Sequence, residues 1–286
     1  MKTRIGVLGP EGTYSEKAAL IWSEGMPTAS LVYYGDFDGV LRAVEEGELD
    51  YGIVPLENSL EGAVTVVNDL LLRMSVVIVG EVNVPVRHCL VGRGEGEIRV
   101  ILSHPQALAQ CRQFIREHYP GAETRTTGST RTTGSTSHAA RLAQEFGEMA
   151  AIADAGAAER YGLRILARDV QDVRENVTRF IVAGRQSPPP SGRDKTSLII
   201  HLDQDRPGAL YAILKEFAER NINLTRIESR PSRLRLGDYY FYIDLEGHQD
   251  NSEVRDALER IRAKAGMVKV LGSYPATAEK DKKIKR

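Results

Sequence analysis

The chain has 286 residues, room for about two domains at roughly 150 residues each. Hydrophobic residues make up 42% and charged residues 27%, and 38 Lys and Arg against 39 Asp and Glu leave a net charge of −1, which argues against a general nucleic-acid binder or a membrane-surface protein. No apolar run approaches the ~20 residues of a membrane span, the opening MKTRIGVLGP lacks a signal-peptide pattern, and Cys89 and Cys111 make neither a disulfide framework nor a metal site, so a cytoplasmic setting without a metal is expected.

RIGVLG (4–9) predicts a strand, and GPEGTYSEKAAL (9–20) its turn into a helix. FDGVLRAVEEG (37–47) places Phe37, Val40, Leu41 and Val44 at helical spacing with Gly47 as a stop. DYGIVPLE (50–57) predicts a strand and AVTVVNDLLL (63–72) a helix. The long strand-like run at 75–92 is too long for one ordinary strand, and predicts a crossover between two lobes, with 169–183 returning. VILSHP (100–105) and MAAIA (149–153) predict strands; 106–118, 137–147 and 155–162 predict helices. Repeated strand–helix units imply mostly parallel sheets with helices on both faces, and a cleft where the lobes meet. Lobe one is expected at about 1–78 and 174–186, and lobe two at about 79–173. SPPPSGRDK (187–195) is a linker, which predicts separable cores. Residues 196–275 read βαββαβ, a ferredoxin-like unit with Pro207 in the first turn of its first helix. The basic tail, 276–286, is expected to be a solvated end.

Each candidate motif has an ordinary structural use. Thr13 or Ser15 can cap the first helix, and Asn58 with Glu61 looks like a polar cap box. Ser103 and Gln106 fit the S-x-x-Q capping pattern, and Ser135 and Thr136 can cap the helix that follows them. Their accumulation is harder to dismiss. Four strand-to-helix or return points carry small hydroxyl, amide or arginine groups, where open α/β sheets bind ligands. Donors and an arginine with few carboxylates suit a small anion. Arg179 lies inside an apolar strand, VTRFIV, and needs a partner.

GPEGTYSE, VPLENSLEG, SHPQALAQC, STSHAA and ENVTRF, in this order, resemble the prephenate dehydratase family, and RPGAL (206–210) with ESRP (228–231) resembles its ACT-type regulatory domain. The likeness runs from about residue 4 to 275. It implies an α/β fold: a two-lobed, periplasmic-binding-protein-like catalytic domain over 1–186 with a cleft, and a ferredoxin-like ACT domain over 196–275. It implies a lyase that converts prephenate to phenylpyruvate in phenylalanine biosynthesis, with no cofactor and with phenylalanine as feedback effector. No nucleic-acid or membrane partner is expected, and a homodimer or homotetramer is.

By the same resemblance, Thr178 hydrogen-bonds the departing hydroxyl, and Asn58 and Gln106 lie near it as catalytic residues. Thr13, Ser59, Ser135 and Thr136 would hold carboxylate oxygens, and Phe180 would line the ring pocket. Arg179 can grip a substrate carboxylate through paired hydrogen bonds, or brace the cleft wall through a neighbouring glutamate. Glu57 is expected to be structural, and His88 to be a strand residue braced by hydrogen bonds. Phenylalanine would be held by Gly208, Ala209, Leu210, Asn223, Leu224, Glu228, Ser229, Arg230 and Pro231 between two chains. Two alternatives stay open: arogenate, the amino analogue, as substrate, and a non-catalytic two-lobed sensor of small anions. One departure is plain. RTTGST occurs twice, at 125–130 and 131–136, and only the second copy directly precedes a helical pattern.

Overall fold

The structure, a computed structural model, describes residues 2–127, 136–202, 206–233 and 235–277. The chain begins with β1 (Arg4–Leu8), α1 (Tyr14–Trp22), β2 (Ser30–Tyr34), α2 (Phe37–Glu45), β3 (Tyr51–Asn58), the short β4 (Gly62–Ala63) and α3 (Thr65–Arg73). Next come β5 (Val77–Pro85), β6 (Cys89–Gly92), β7 (Val100–Ser103), α4 (Pro105–Gln110), α5 (Arg112–His118) and β8 (Glu123–Thr126). The second lobe closes with α6 (Thr136–Ala143), β9 (Met149–Ala153), α7 (Ala155–Arg160) and β10 (Arg164–Arg168), and β11 (Val177–Gly184) returns to the first. The C-terminal unit is β12 (Asp194–His201), α8 (Ala209–Ala218), β13 (Leu224–Pro231), β14 (Tyr239–Glu246), α9 (Ser252–Arg262) and β15 (Met267–Pro275).

Local chemistry sets the boundaries. Asp36 accepts from Gly39 N at 2.7 Å and starts α2, whose Val40, Leu41 and Val44 are fully buried. Asp154 starts α7 in the same way through Ala157 N. The helix expected over 106–118 breaks at Cys111 into α4 and α5. Ser103 is no cap: its hydroxyl donates to Ile152 O, and His104 is the N-cap of α4.

The first sheet has the order β2-β1-β3-β11-β5, and the second β10-β6-β9-β7-β8. Both are mixed rather than mostly parallel. β1 is parallel to β2 and β3, but β11 is antiparallel to β3 and β5; in the second sheet β6 is antiparallel to β9 and β10. A chain that leaves one lobe on β5 and comes back on β11 must cross in opposite directions. The long run at 75–92 divides between the sheets as β5 and β6. Among the described residues, no helix is long and apolar enough to cross a membrane.

β13-β14-β12-β15 form an antiparallel sheet, with α8 and α9 packed on one face around Ile213, Phe217, Leu258 and Ile261. Ile199 and Tyr242, paired across the ladder, face the other side, and an extra residue at Leu271 in β15 lets Leu271 and Tyr274 join them there, where they share a core with Leu41, Leu56, Leu71 and Ile78 of the first lobe. The expectation of separable cores is therefore corrected: the proline-rich connection joins two units that bury one another. Gly272 (φ 149°) permits the approach, since a Cβ there would overlap the carbonyl oxygen of Ile78. Lys269 Nζ donates to the carbonyls of Leu71, Leu72 and Met74 at 2.8, 3.0 and 2.7 Å, closing the C-terminus of α3.

Candidate active site

A cavity of about 410 Å³ is lined by residues of both lobes and of the crossing segments. Thr178 stands on its wall, paired across the ladder with Asn58. Asn58 Oδ1 accepts from the N–H groups of Leu60 and Glu61 at 3.0 and 3.1 Å in the turn after β3, so the amide nitrogen must face the other way. It does: Asn58 Nδ2 donates to Thr178 Oγ1 at 2.9 Å and to Asn176 Oδ1 at 2.7 Å. The Thr178 oxygen is thus an acceptor within the protein, which leaves its single proton for a partner in the cavity.

The chain of amides continues. Asn176 Nδ2 donates to Gln110 Oε1 at 3.0 Å, and Gln110 Nε2 donates to Glu61 Oε1 at 3.3 Å. A carbonyl oxygen only accepts, so His88, 3.0 Å from the same Gln110 Oε1, carries its proton on Nε2. Burial lowers the His88 pKa and outweighs the hydrogen bond His88 donates to Gln110, which raises it. Burial lowers the His104 pKa too, and His104 Nδ1 accepts from Gln106 N at 3.3 Å.

Thr178, Asn58, Gln106, Thr13, Thr136 and Phe180 all line the cavity. At Thr13 the capping role fills the hydroxyl, which accepts from Glu16 N at 3.2 Å and donates to Leu8 O at 3.1 Å. Ser59 lies off the cavity and ties the turn to β11, its Oγ accepting from Val177 N at 3.0 Å. Ser135, with 128–134 of the repeat, lies outside the described residues.

The placement of Arg179 as a grip on substrate is corrected. Successive strand residues face opposite sides, and Thr178 and Phe180 both face the cavity, so Arg179 faces away. Its guanidinium meets Glu81 at 2.8 Å, Glu57 at 2.9 Å, Asp244 at 2.6 Å and the Tyr274 hydroxyl at 2.8 Å. Burial works against this charge, but Tyr274, Asp244 and Glu81 outweigh it and raise the Arg179 pKa. Burial likewise pushes the Asp244 carboxyl up, and Arg179 and Arg226 bring it below its ordinary value. The brace through a neighbouring glutamate is the arrangement found, extended to a second domain.

His88, Gln110 and Asn176 belong to the cavity wall and were not expected there. Spacing held a signal for two of them. Gln110 follows Gln106 by four residues, one helical face, and Asn176 precedes Thr178 by two, one side of an extended chain. In the C-terminal unit, Gly208 caps α8 with φ 83°, and Ala209 and Leu210 form its first turn. Asn223 precedes the edge strand β13, which carries Leu224 and Glu228–Pro231. Glu228 accepts from Asn68 Nδ2 at 3.2 Å, and Arg230 meets Asp69 at 3.0 Å, both on α3.

The family model for prephenate dehydratase matches residues 5–188. The chain belongs to the prephenate dehydratase family. An ACT-domain model matches residues 196–263. The prephenate dehydratase of Methanocaldococcus jannaschii is 40% identical over 275 residues, covering 93% of this chain and 96% of that one. The crystal structure of a prephenate dehydratase from Arthrobacter aurescens in complex with L-Phe aligns with a TM-score of 0.84 at 38% identity, over 96% of this chain and 90% of that one. GqqA, described as a novel type of quorum quenching acylase, aligns with a TM-score of 0.82 at 33% identity, over 96% of this chain and 98% of its own.

Proposed function

We propose that this protein converts prephenate to phenylpyruvate, carbon dioxide and water. The observation that carries the reading is the Thr178 hydroxyl, whose oxygen is occupied by Asn58 so that its proton is offered to the cavity. In the reaction the ring C–O bond breaks, the ring carboxylate leaves as carbon dioxide, and the electron pair it releases aromatises the ring. One proton, taken up from solvent water, joins the departing hydroxyl to make water, so that prephenate dianion and a proton give phenylpyruvate anion, carbon dioxide and water. Thr178 is too weak an acid to give up its proton outright. It stabilises the leaving oxygen by a hydrogen bond that strengthens as charge develops there. No oxidation occurs, so the step needs no redox cofactor.

Among the described residues lining the cavity there is no lysine and no arginine. That suits the chemistry. One carboxylate loses its charge as it leaves, and a tight cation would hold the ground state more than the transition state. Ser15, Gln106 and Thr136 are neutral groups placed for the carboxylates, with Phe37, Val86 and Phe180 as apolar wall. The described lining also has no carboxylate to pair an ammonium, which favours the keto acid over arogenate. Because one scaffold also carries a protein described as an acylase, the assignment rests on the site rather than the fold.

Phenylalanine is the proposed effector, bound between the C-terminal units of two chains by Gly208–Leu210, Asn223, Leu224 and Glu228–Pro231, in a cytoplasmic homodimer or homotetramer. The test is purified protein with prephenate or arogenate, following product with and without phenylalanine. Turnover of prephenate that phenylalanine lowers supports the reading. Failure to turn over either substrate refutes it.

A further inference from the structure

Glu57 and Arg179 face each other on β3 and β11, one step along the ladder from Asn58 and Thr178. Successive residues of paired strands point to opposite sides. The pair that serves the cavity and the pair that leaves it therefore share two short pieces of backbone. Arg179 meets Asp244 of β14 at 2.6 Å and Tyr274 of β15 at 2.8 Å, while Glu57 meets Arg226 of β13 at 3.2 Å. Arg226 also pairs with Glu228, in the segment proposed above to take the effector. The ladder slips at this point. Arg179 pairs with Glu57 but Phe180 with Pro55, which leaves Leu56 as an extra residue. A bulge of this kind is a place where a strand is re-aimed. Arg179 and Asp244 are almost wholly buried, so losing one partner strands a charge and the contact resists breaking.

We propose that the Glu57–Arg179–Asp244 bridge is the link through which the C-terminal unit positions Thr178 and Asn58, and that Arg226 carries the state of β13 into it. Arg179 is a positioning residue. This rests on the dehydratase and effector readings and supplies the physical route between the two sites. An amino-acid ammonium at Glu228 competes with Arg226 for that carboxylate. Arg226 then draws on Glu57, which loosens from Arg179 beside the bulge, and the Thr178–Asn58 pair shifts with it.

The test compares the full chain with Glu57→Gln, a side chain 32% exposed, and with Asp244→Asn, which keeps shape but loses charge. Four quantities are read: kcat and KM for prephenate, the phenylalanine Kd by calorimetry, and amide exchange across 55–59 and 176–181. In Glu57→Gln phenylalanine should bind within about twofold of the unsubstituted protein, while its effect on kcat/KM shrinks at least about fivefold. Without phenylalanine, kcat should fall more than KM changes, since neither residue touches the cavity. A purely structural role would lower the melting temperature but leave the response to bound phenylalanine intact. Full response with an unchanged Kd overturns the proposal. If Asp244→Asn does not fold, Glu57→Gln decides alone. An unsubstituted protein that neither turns over prephenate nor binds phenylalanine would refute the underlying readings instead. The bridge is then judged by exchange at Thr178: faster in the variants supports it, unchanged overturns it.

Discussion

Replacing Thr178 by Val keeps the β-branched shape and removes only the hydroxyl. The cost to folding is small, because Asn58 Nδ2 loses one acceptor at 2.9 Å but keeps Asn176 Oδ1 at 2.7 Å. One such hydrogen bond contributes about 1 kcal/mol. The strand itself is untouched, since β11 keeps its ladder to β3 and β5 on either side. The cost to catalysis is larger. An oriented donor aimed at developing charge accounts for about 10²–10³ in kcat elsewhere, or roughly 3–4 kcal/mol of barrier. The expected result is a kcat lowered by that factor, a KM within about threefold, and a melting temperature lowered by only a few degrees. Thr178→Ser, which retains the hydroxyl, should recover most of the loss. The assay is phenylpyruvate formation under saturating prephenate, with thermal unfolding run in parallel. A Thr178→Val enzyme within about tenfold of the unsubstituted kcat would refute the hydroxyl's role, for about 1.4 kcal/mol is too little for an oriented donor at the leaving group.

Truncation after residue 190 should yield an unstable first unit, because Arg179 and Glu81 would lose Asp244, Tyr274 and Lys195; removing one partner of a buried pair costs about 3–5 kcal/mol. A truncated chain that melts with the full one would contradict the shared core. Gly272→Ala should lower the melting temperature sharply, since the added Cβ meets the backbone of Ile78 and φ is 149°; an unchanged melting curve would contradict that close approach. His88 is held neutral with a lowered pKa, so its contribution to stability is complete above the unfolded value of about 6.5 and is lost as pH falls from there toward the folded one. His88→Gln should flatten that part of the stability–pH curve, as measured by denaturant unfolding between about pH 5 and 8; identical curves would count against it.

By itself, the sequence determined most of what local rules govern. Alternation and helical spacing located the strands that end at the site, and the order of five short motifs identified the family and brought Thr178, Asn58, Gln106, Thr13, Thr136 and Phe180 to one cavity. The strands β2, β8 and β10 escaped it. They lie at sheet edges or beside them, where half-exposed residues such as those of Ser30–Tyr34 and the polar Glu123–Thr126 blur the period-2 signal. Alternation also bears on Arg179, which was expected to grip substrate beside Thr178 and Phe180: three successive strand residues cannot all face one cavity. What the sequence did not hold was the identity of whatever covers the opposite face. Only the tertiary structure decided that, by laying a second sheet there and bringing Asp244 to Arg179 across 65 positions of chain. The physical reason is range. Strand and helix periods are set by neighbours a few residues apart, whereas a buried charge is tolerated only through partners that the folded chain delivers from far away.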